Sequence, residues 1–347
     1  MRITLPIKPI NPIKPINPIK PISPINPIKP IIMGFVLLFA SCGGPQQQAA
    51  TTDTVTDDYG RTVVIPANPQ RVVSLSPAVT EIMFALGAGD LLVGRTDFCE
   101  FPAEAAQIPS IGGISNLNIE RIVSLSPDLV ISGSMVGKKV TDQMDAMGTP
   151  MVCVIEKPRF EALYDNIRAI GRLVGKEREA DSLNELLHNR VDALVNSTHA
   201  ITPARPLGAA LSTAESNQIG EKSNNNAVTP KVYYVVGFGA TGNFTAGGNT
   251  FINDIIRMAG GRNIAADIDG WSYSLEALMK EDPDYIIVRR EDSAAFCGMK
   301  PYNTLRAVQD GHVIGIVSGT FDLQVPRNID AILYLRQRMS QSPKQSR

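Results

Sequence analysis

Two distant stretches, ERIVSLSPDLVI from Glu120 and EALMKEDPDYII from Glu276, are written on one plan. Each carries a glutamate on a helical pattern, a Pro-Asp pair seven and eight residues later, and then an apolar run that reads as a strand. Proline ends a helix and pushes the residue before it out of the α region, so in both places the chain must turn from helix into sheet. A repeated unit of this kind predicts two lobes of the same α/β build. From Arg71 the first lobe alternates RVVSLS, AVTEIMFALGA, DLLVGR, NIERIVSL and DLVISGS, then a helical pattern around 138–147 and PMVCVIE. Strand, helix, strand at this spacing implies a parallel sheet with helices on its faces. The first lobe is expected over 59–158 and the second over 231–340.

The segment between them is different. FEALYDNIRAIGRLVGKEREADSLNELLHNRVDALV has no proline and places Leu, Ile and Val three and four residues apart throughout. That pattern predicts one helix filling a spanning segment, 159–197, with Gly171 and Gly175 as the places where it would break. About 35 helical residues extend roughly 50 Å, the length of a lobe pair. The expected fold class is therefore α/β, two Rossmann-like α/β lobes joined by one long rigid backbone helix, with a ligand cleft between the lobes. The stretch 198–230 is polar, contains SNNNAVTP, and reads as a surface insertion.

The N-terminus carries targeting information. Residues 1–41 read as a signal peptide with a low-complexity, proline-rich start, because proline at about every third position excludes helix and sheet interior. Five cations (Arg2, Lys8, Lys14, Lys20, Lys29) precede an apolar stretch, 31–40, that is too short to span a bilayer and suits a signal-peptide core. It ends in Phe39-Ala40-Ser41-Cys42, which resembles a bacterial lipobox and makes Cys42 the expected lipidation site. Residues 42–58, rich in Gln, Thr and Asp, read as a lipidated tether. Cleavage before Cys42 leaves 28 of the 33 cations against all 34 anions. That surplus of negative charge argues against nucleic acid as a partner. Of the remaining cysteines, Cys153 reads as a small buried hydrophobe. Cys99 and Cys297 are left as a pair whose bridging in an oxidising compartment stays open.

VYYVVGFGATGNF contains Gly237, Gly239 and Gly242 at the spacing of a dinucleotide fingerprint. That fingerprint needs a helix to open at its third glycine, so that the pyrophosphate rests on free N–H groups. Here NFTAGGNT follows, and no helix is expected before Thr250 or Phe251. The loop reads instead as a close-approach surface, with Phe238 and Phe244 as apolar contacts. No nucleophile–base constellation, paired loop carboxylates, phosphate loop or metal-ligand spacing is present in the sequence pattern, so no catalytic residue, cofactor or metal site is expected. A binding module is favoured over an enzyme on the same architecture and over an adhesin.

With these features the chain resembles the substrate-binding lipoproteins of metal-chelate ABC importers, the cobalamin, haem and iron-siderophore periplasmic-binding family. The resemblance rests on QRVVSLSPAVTEIMFALGAGDLLVGRTDFCEFPAEAAQIPSIGGISNLNIERIVSLSPDLVI, FTAGGNTFINDIIRMAGGRNI and WSYSLEALMKEDPDYIIV. It implies a monomeric, membrane-anchored, periplasm-facing binding protein that delivers a chelate to an ABC permease dimer with its ATPase. Cleft residues implied by position are Ser76, Pro77, Phe98, Gly113, Ile114, Phe238, Phe244, Trp271, Phe321 and Arg327. Read without the resemblance, Trp271 also fits a core role and Arg327 a solvated helix start. The resemblance further implies that Glu120 and Glu276 dock on the permease; their residues alone also fit helix starts favoured by the macrodipole. A corrinoid is the favoured ligand, from GGISNLNIE and TDFCEFP. The alternatives are an anionic siderophore held by Arg95 and Arg327, or haem, for which Tyr273 is the available cleft tyrosine.

Overall fold

The protein is described by a computed structural model over residues 52–198 and 229–340. The expected signal peptide, Cys42 and almost all of the expected polar insertion lie outside the described residues. The first lobe opens with a hairpin of β1 (Thr52–Thr56) and β2 (Thr62–Pro66), paired antiparallel with Val55 opposite Val63, so residues 52–58, expected in the tether, belong to the lobe instead. Val63 and Ile65 alternate inward along β2 while Thr62 and Val64 face out, the period-two pattern of a strand with one covered face. There follow β3 (Val72–Ser74), α1 (Pro77–Ala85), β4 (Leu92–Arg95), α2 (Ile119–Ser124), β5 (Leu129–Ser132), α3 (Lys138–Ala146) and β6 (Met151–Cys153). The four strands of this sheet are parallel in the order β4-β3-β5-β6. Their residues are buried without alternation in β3, β5 and β6, as expected where helices cover both faces.

After the connector, α4 (Ala162–Leu173) and α5 (Glu177–Thr198), the second lobe repeats the scheme. It contains β7 (Lys231–Tyr234), α6 (Phe251–Met258), β8 (Arg262–Asn263), α7 (Leu275–Glu281), β9 (Tyr285–Arg289), α8 (Arg290–Gly298), α9 (Arg306–Gln309), β10 (Val313–Ile316) and α10 (Asn328–Ser340). Its parallel strands lie in the order β10-β9-β7-β8. Numbered by appearance, the strands of both lobes are arranged second, first, third, fourth. The repeated Pro-Asp units occupy the same place in each lobe, and the reason is now physical. Asp128 accepts the N–H groups of Gln70 and Arg71 at 2.7 and 3.0 Å, and its own N–H donates to the Arg71 carbonyl at 2.9 Å. Asp284 accepts the Lys231 N–H at 2.7 Å and donates to the Lys231 carbonyl at 2.8 Å. Each aspartate thus clamps the entry of the third strand to the entry of the first. The residues before the two prolines, Ser126 and Asp282, sit at φ of 47° and 43°, the left-handed conformation that closes a helix.

The single spanning helix is corrected. The chain forms two helices that break at Gly175, whose φ of +65° takes the left-handed form glycine adopts without strain. They fold back on each other as an antiparallel hairpin: the Asn184 side-chain amide donates to the Tyr164 carbonyl at 3.0 Å, and the Tyr164 ring stacks on His188 at 3.7 Å. Near the bend Gly171 permits the close approach, since a Cβ there would lie 2.6 Å from the Ala180 methyl. Apolar periodicity continued across the break because both helices bury one stripe, and periodicity alone does not separate one helix from two in phase. The hairpin packs between the lobes. One continuous core joins Ile82 of α1, Leu163 and Ile167 of α4, Leu187 of α5, Ile255 of α6 and Ile332 of α10. Each such side chain contributes roughly 1.5–3 kcal/mol on full burial. Arg190 of α5 pairs with Asp330 of α10, and the Phe160 N–H donates to Asp254 of α6 at 3.1 Å.

Candidate functional site

In an open parallel sheet every strand ends on the same edge, and the crevice outside the carboxyl ends is where ligands bind. In both lobes the loops beyond that edge carry exposed apolar side chains. Phe98 and Phe101 follow β4, Met135 follows β5, Val236 and Phe244 follow β7, Trp271 follows β8 and Val317 follows β10. Large apolar groups exposed at these loop ends are the candidates for a binding surface. The edges meet at Arg327, beyond β10. Its Nε donates to both carboxylate oxygens of Glu81 in α1, at 2.9 and 3.1 Å, and its guanidinium lies 4.6 Å over the Phe101 ring. A further bond runs from Arg327 to the Gly319 carbonyl at 3.0 Å. The Glu81 side chain is 5% exposed and that of Arg327 18%. Burial pushes the Glu81 carboxyl up to about 7, against the opposing pull of the Arg327 charge.

On the first lobe, Ser76 stands at the N-cap position of α1 without a side-chain capping bond, and Pro77 is the first residue of the helix. A Cβ on Gly133 would stand 3.0 Å from both the Ser76 hydroxyl and a Glu156 carboxylate oxygen, so these two groups converge above the end of β5. Glu156 also accepts the Ser134 N–H at 3.2 Å. Phe98 is 59% exposed and its ring edges Gly113, which precedes the short turn Ile114–Asn116. Ser76 thus lies with Gly133 and Glu156 beyond β3 and β5, while Phe98 lies with Gly113 beyond β4.

On the second lobe, the fingerprint glycines bed an aromatic ring. The Phe244 N–H donates to the Gly237 carbonyl at 2.9 Å, and the ring covers Gly237 and Gly242. The helix that follows begins at Phe251, with Thr250 as its cap. Gly247 and Gly248 let the chain lie against 266–270, donating to the Gly270 and Ile268 carbonyls at 2.9 Å each. The same strip holds Trp271, whose carbonyl accepts the Thr245 N–H at 2.8 Å while the side chain stays 47% exposed. Phe244 and Trp271 are thus rigidly presented.

Four expectations change. Phe321 is 1% exposed and packs on Tyr234, so it belongs to the core under the last loop and presents no ring to a ligand. Phe238 meets Phe296 and Tyr302 edge-on at 5.2 and 5.8 Å and is mainly scaffold. Arg95 donates to the carbonyls of Ala105, Thr96 and Ala106, tying down its own loop. The Tyr273 hydroxyl turns inward to the Ile264 carbonyl at 3.3 Å. Cys99, Cys153 and Cys297 are all free thiols. Glu81, Phe101, Met135 and Glu156 were missed. Glu81 gave no signal because it sits on an apolar helical pattern, far in sequence from its partner; Phe101 lay within TDFCEFP beside Phe98.

Glu120 and Glu276 are exposed in the first turns of α2 and α7, each two residues after a cap, Asn118 and Ser274, that accepts a backbone N–H at 2.8 and 3.0 Å. Neither has an ion-pair partner among the described residues. Beside Glu120 lies an open depression of about 540 Å³ bounded by Leu117, Ile119, Gln143 and Met147.

Duplicated parallel-sheet lobes, a connector packed into both, and an apolar rim at the facing edges define a two-lobed periplasmic binding protein, a transport component without chemistry of its own. The chain belongs to that family: residues 72–318 match the model described as periplasmic binding protein. It is 28% identical over 264 residues to the uncharacterized ABC transporter substrate-binding lipoprotein YvrC of Bacillus subtilis, covering 72% of this chain and 76% of that protein. It is 27% identical over 290 residues to the cobalamin-binding protein of Halobacterium salinarum, covering 80% and 71%. Among solved structures, the periplasmic heme-binding protein RhuT of Roseiflexus sp. RS-1 superposes with a TM-score of 0.64 at 25% identity, over 78% of this chain and 97% of that one.

Proposed function

We propose that the protein captures a metal chelate, a corrinoid in preference to haem or a ferric siderophore, and delivers it to an inner-membrane ABC permease. The observation that carries this reading is the ring of exposed apolar side chains on the facing strand ends, with Phe98, Phe101, Phe244 and Trp271 as flat contacts for a macrocycle. Relatives named for cobalamin and for heme support the chelate class. Glu120 and Glu276, placed alike on duplicated lobes, offer two carboxylates to a two-fold symmetric partner, and the lipobox-like FASC anchors the chain through Cys42. Ferric siderophore or haem remains the second reading, supported by the solved relative named for heme.

Trp271 is the only tryptophan in the sequence. Its emission should be quenched by cyanocobalamin with a Kd at or below the micromolar range, about −8 kcal/mol. Absence of quenching and of any thermal shift with cyanocobalamin, hemin and a ferric siderophore would overturn the chelate assignment.

A further inference from the structure

Cations at or just beyond the strand ends include Arg95, Lys157, Arg159, Arg289, Arg290 and Arg327. Four are already engaged. Arg95 is spent on three carbonyls, Lys157 pairs with Asp58 at 3.4 Å, Arg159 with Asp165 at 3.4 Å and Arg289 with Asp292 at 2.6 Å. The backbone and first side-chain carbons of Arg290 lie beside Gly315 of the edge strand β10. Of these cations, Arg327 is the one whose side chain bonds across the lobes among the described residues, and Glu81 holds it from both carboxylate oxygens. The carboxylates of the same loops are in the opposite condition. Glu156 and Asp97 are bonded to serine hydroxyls, and Asp322 accepts the Tyr234 hydroxyl at 2.7 Å. None of the three has a cationic partner among the described residues. At pH 8, above the raised Glu81 value, an anionic ligand reaching the lobe junction meets an arginine whose charge Glu81 matches, with three unpaired carboxylates on the neighbouring loops. A buried charge pair gives up its partner only at the cost of leaving the other charge unpaired.

We infer that Glu81 is a specificity-determining residue: by occupying Arg327 it withdraws the cation of the lobe junction from ligand recognition, and so selects chelates edged with neutral amides over chelates edged with carboxylates. Glu81 itself, almost fully buried beneath Arg327, touches no ligand; it acts through the arginine. The inference rests on the chelate reading above and names which chelates that cleft admits.

The experiment compares hemin, which carries two propionates, with cyanocobalamin, whose macrocycle is edged with amides, on wild type, Glu81→Gln and Glu81→Gln/Arg327→Gln at pH 8. In Glu81→Gln the ratio of affinities should move about tenfold toward hemin, a change of ~1.4 kcal/mol. The gain should weaken with added salt, as a newly exposed charge contact does, and should vanish in the double variant. A purely structural role for Glu81 would weaken both ligands together and leave the ratio unchanged. An unchanged ratio, or a gain that survives in the double variant, overturns the inference. Should Glu81→Gln fail to fold, wild type and Arg327→Gln decide: hemin binding in wild type that depends on Arg327 overturns the inference, and hemin binding indifferent to Arg327 supports it. Binding of neither ligand by wild type overturns the chelate reading, while a gain of hemin binding in Glu81→Gln still upholds the filter.

Discussion

Burial of the Glu81 carboxyl has a thermodynamic consequence. Burial raises the Glu81 carboxyl from 4.5 to about 7, so between these values the folded protein holds a proton that the unfolded chain releases. The stabilisation is fully present below about pH 4.5 and is lost as the pH rises through about 7, with an upper bound on the order of 3 kcal/mol. Asp254, also raised by burial, contributes in the same direction and is separated by mutation. Urea unfolding of wild type against Glu81→Gln across this window should show a downward slope with pH that the glutamine variant partly lacks; parallel curves would contradict it. At this scale the sequence was legible only in part. Trp271 stood out by its setting after DIDG, and Phe98 by its loop. Phe321 looked the same in sequence, yet one loop tucks its ring beneath Tyr234 while another holds its ring in water. That choice depends on three-dimensional neighbours contributed by other strands, and Glu81 illustrates it most sharply, since its partner lies 246 residues away.

Among elements, the Pro-Asp units and the buried strands were readable because each is local: a helix, a proline, a carboxylate reaching a neighbouring N–H, an apolar run of four or five residues. The connector was not. Whether its periodic stripe wraps one long cylinder or two short ones is decided by the left-handed residue at Gly175 and by the room at Gly171. The second of these can be tested. Gly171→Val gains helix propensity, worth at most about 1 kcal/mol. It also forces a branched side chain toward Ala180 and the Lys176 carbonyl, where a Cβ alone would stand at 2.6 and 3.0 Å. Overpacking of this kind costs about 1–3 kcal/mol and should prevail. We expect a lower urea midpoint with an unchanged far-ultraviolet spectrum; equal or greater stability would mean that the hairpin opens to accommodate the side chain.

For the whole molecule, the duplicated topology gives the docking proposal its test. If Glu120 and Glu276 meet equivalent cationic pockets, each contact is a hydrogen bond between charged groups worth about 1.5–3 kcal/mol. Glu120→Ala/Glu276→Ala should therefore lower transport and ATPase stimulation with the cognate permease while Trp271 quenching by ligand is preserved. Loss of quenching would place the two residues in the fold or the cleft, and undiminished transport would leave them as solvated helix starts. The folded connector bears on the same question. A hairpin whose core is shared with both lobes acts as a caliper: it sets how far apart the outer faces stand. A transporter gripping both faces would thus measure a length set by Gly175 and its helices, and would learn of the cargo only from the rim.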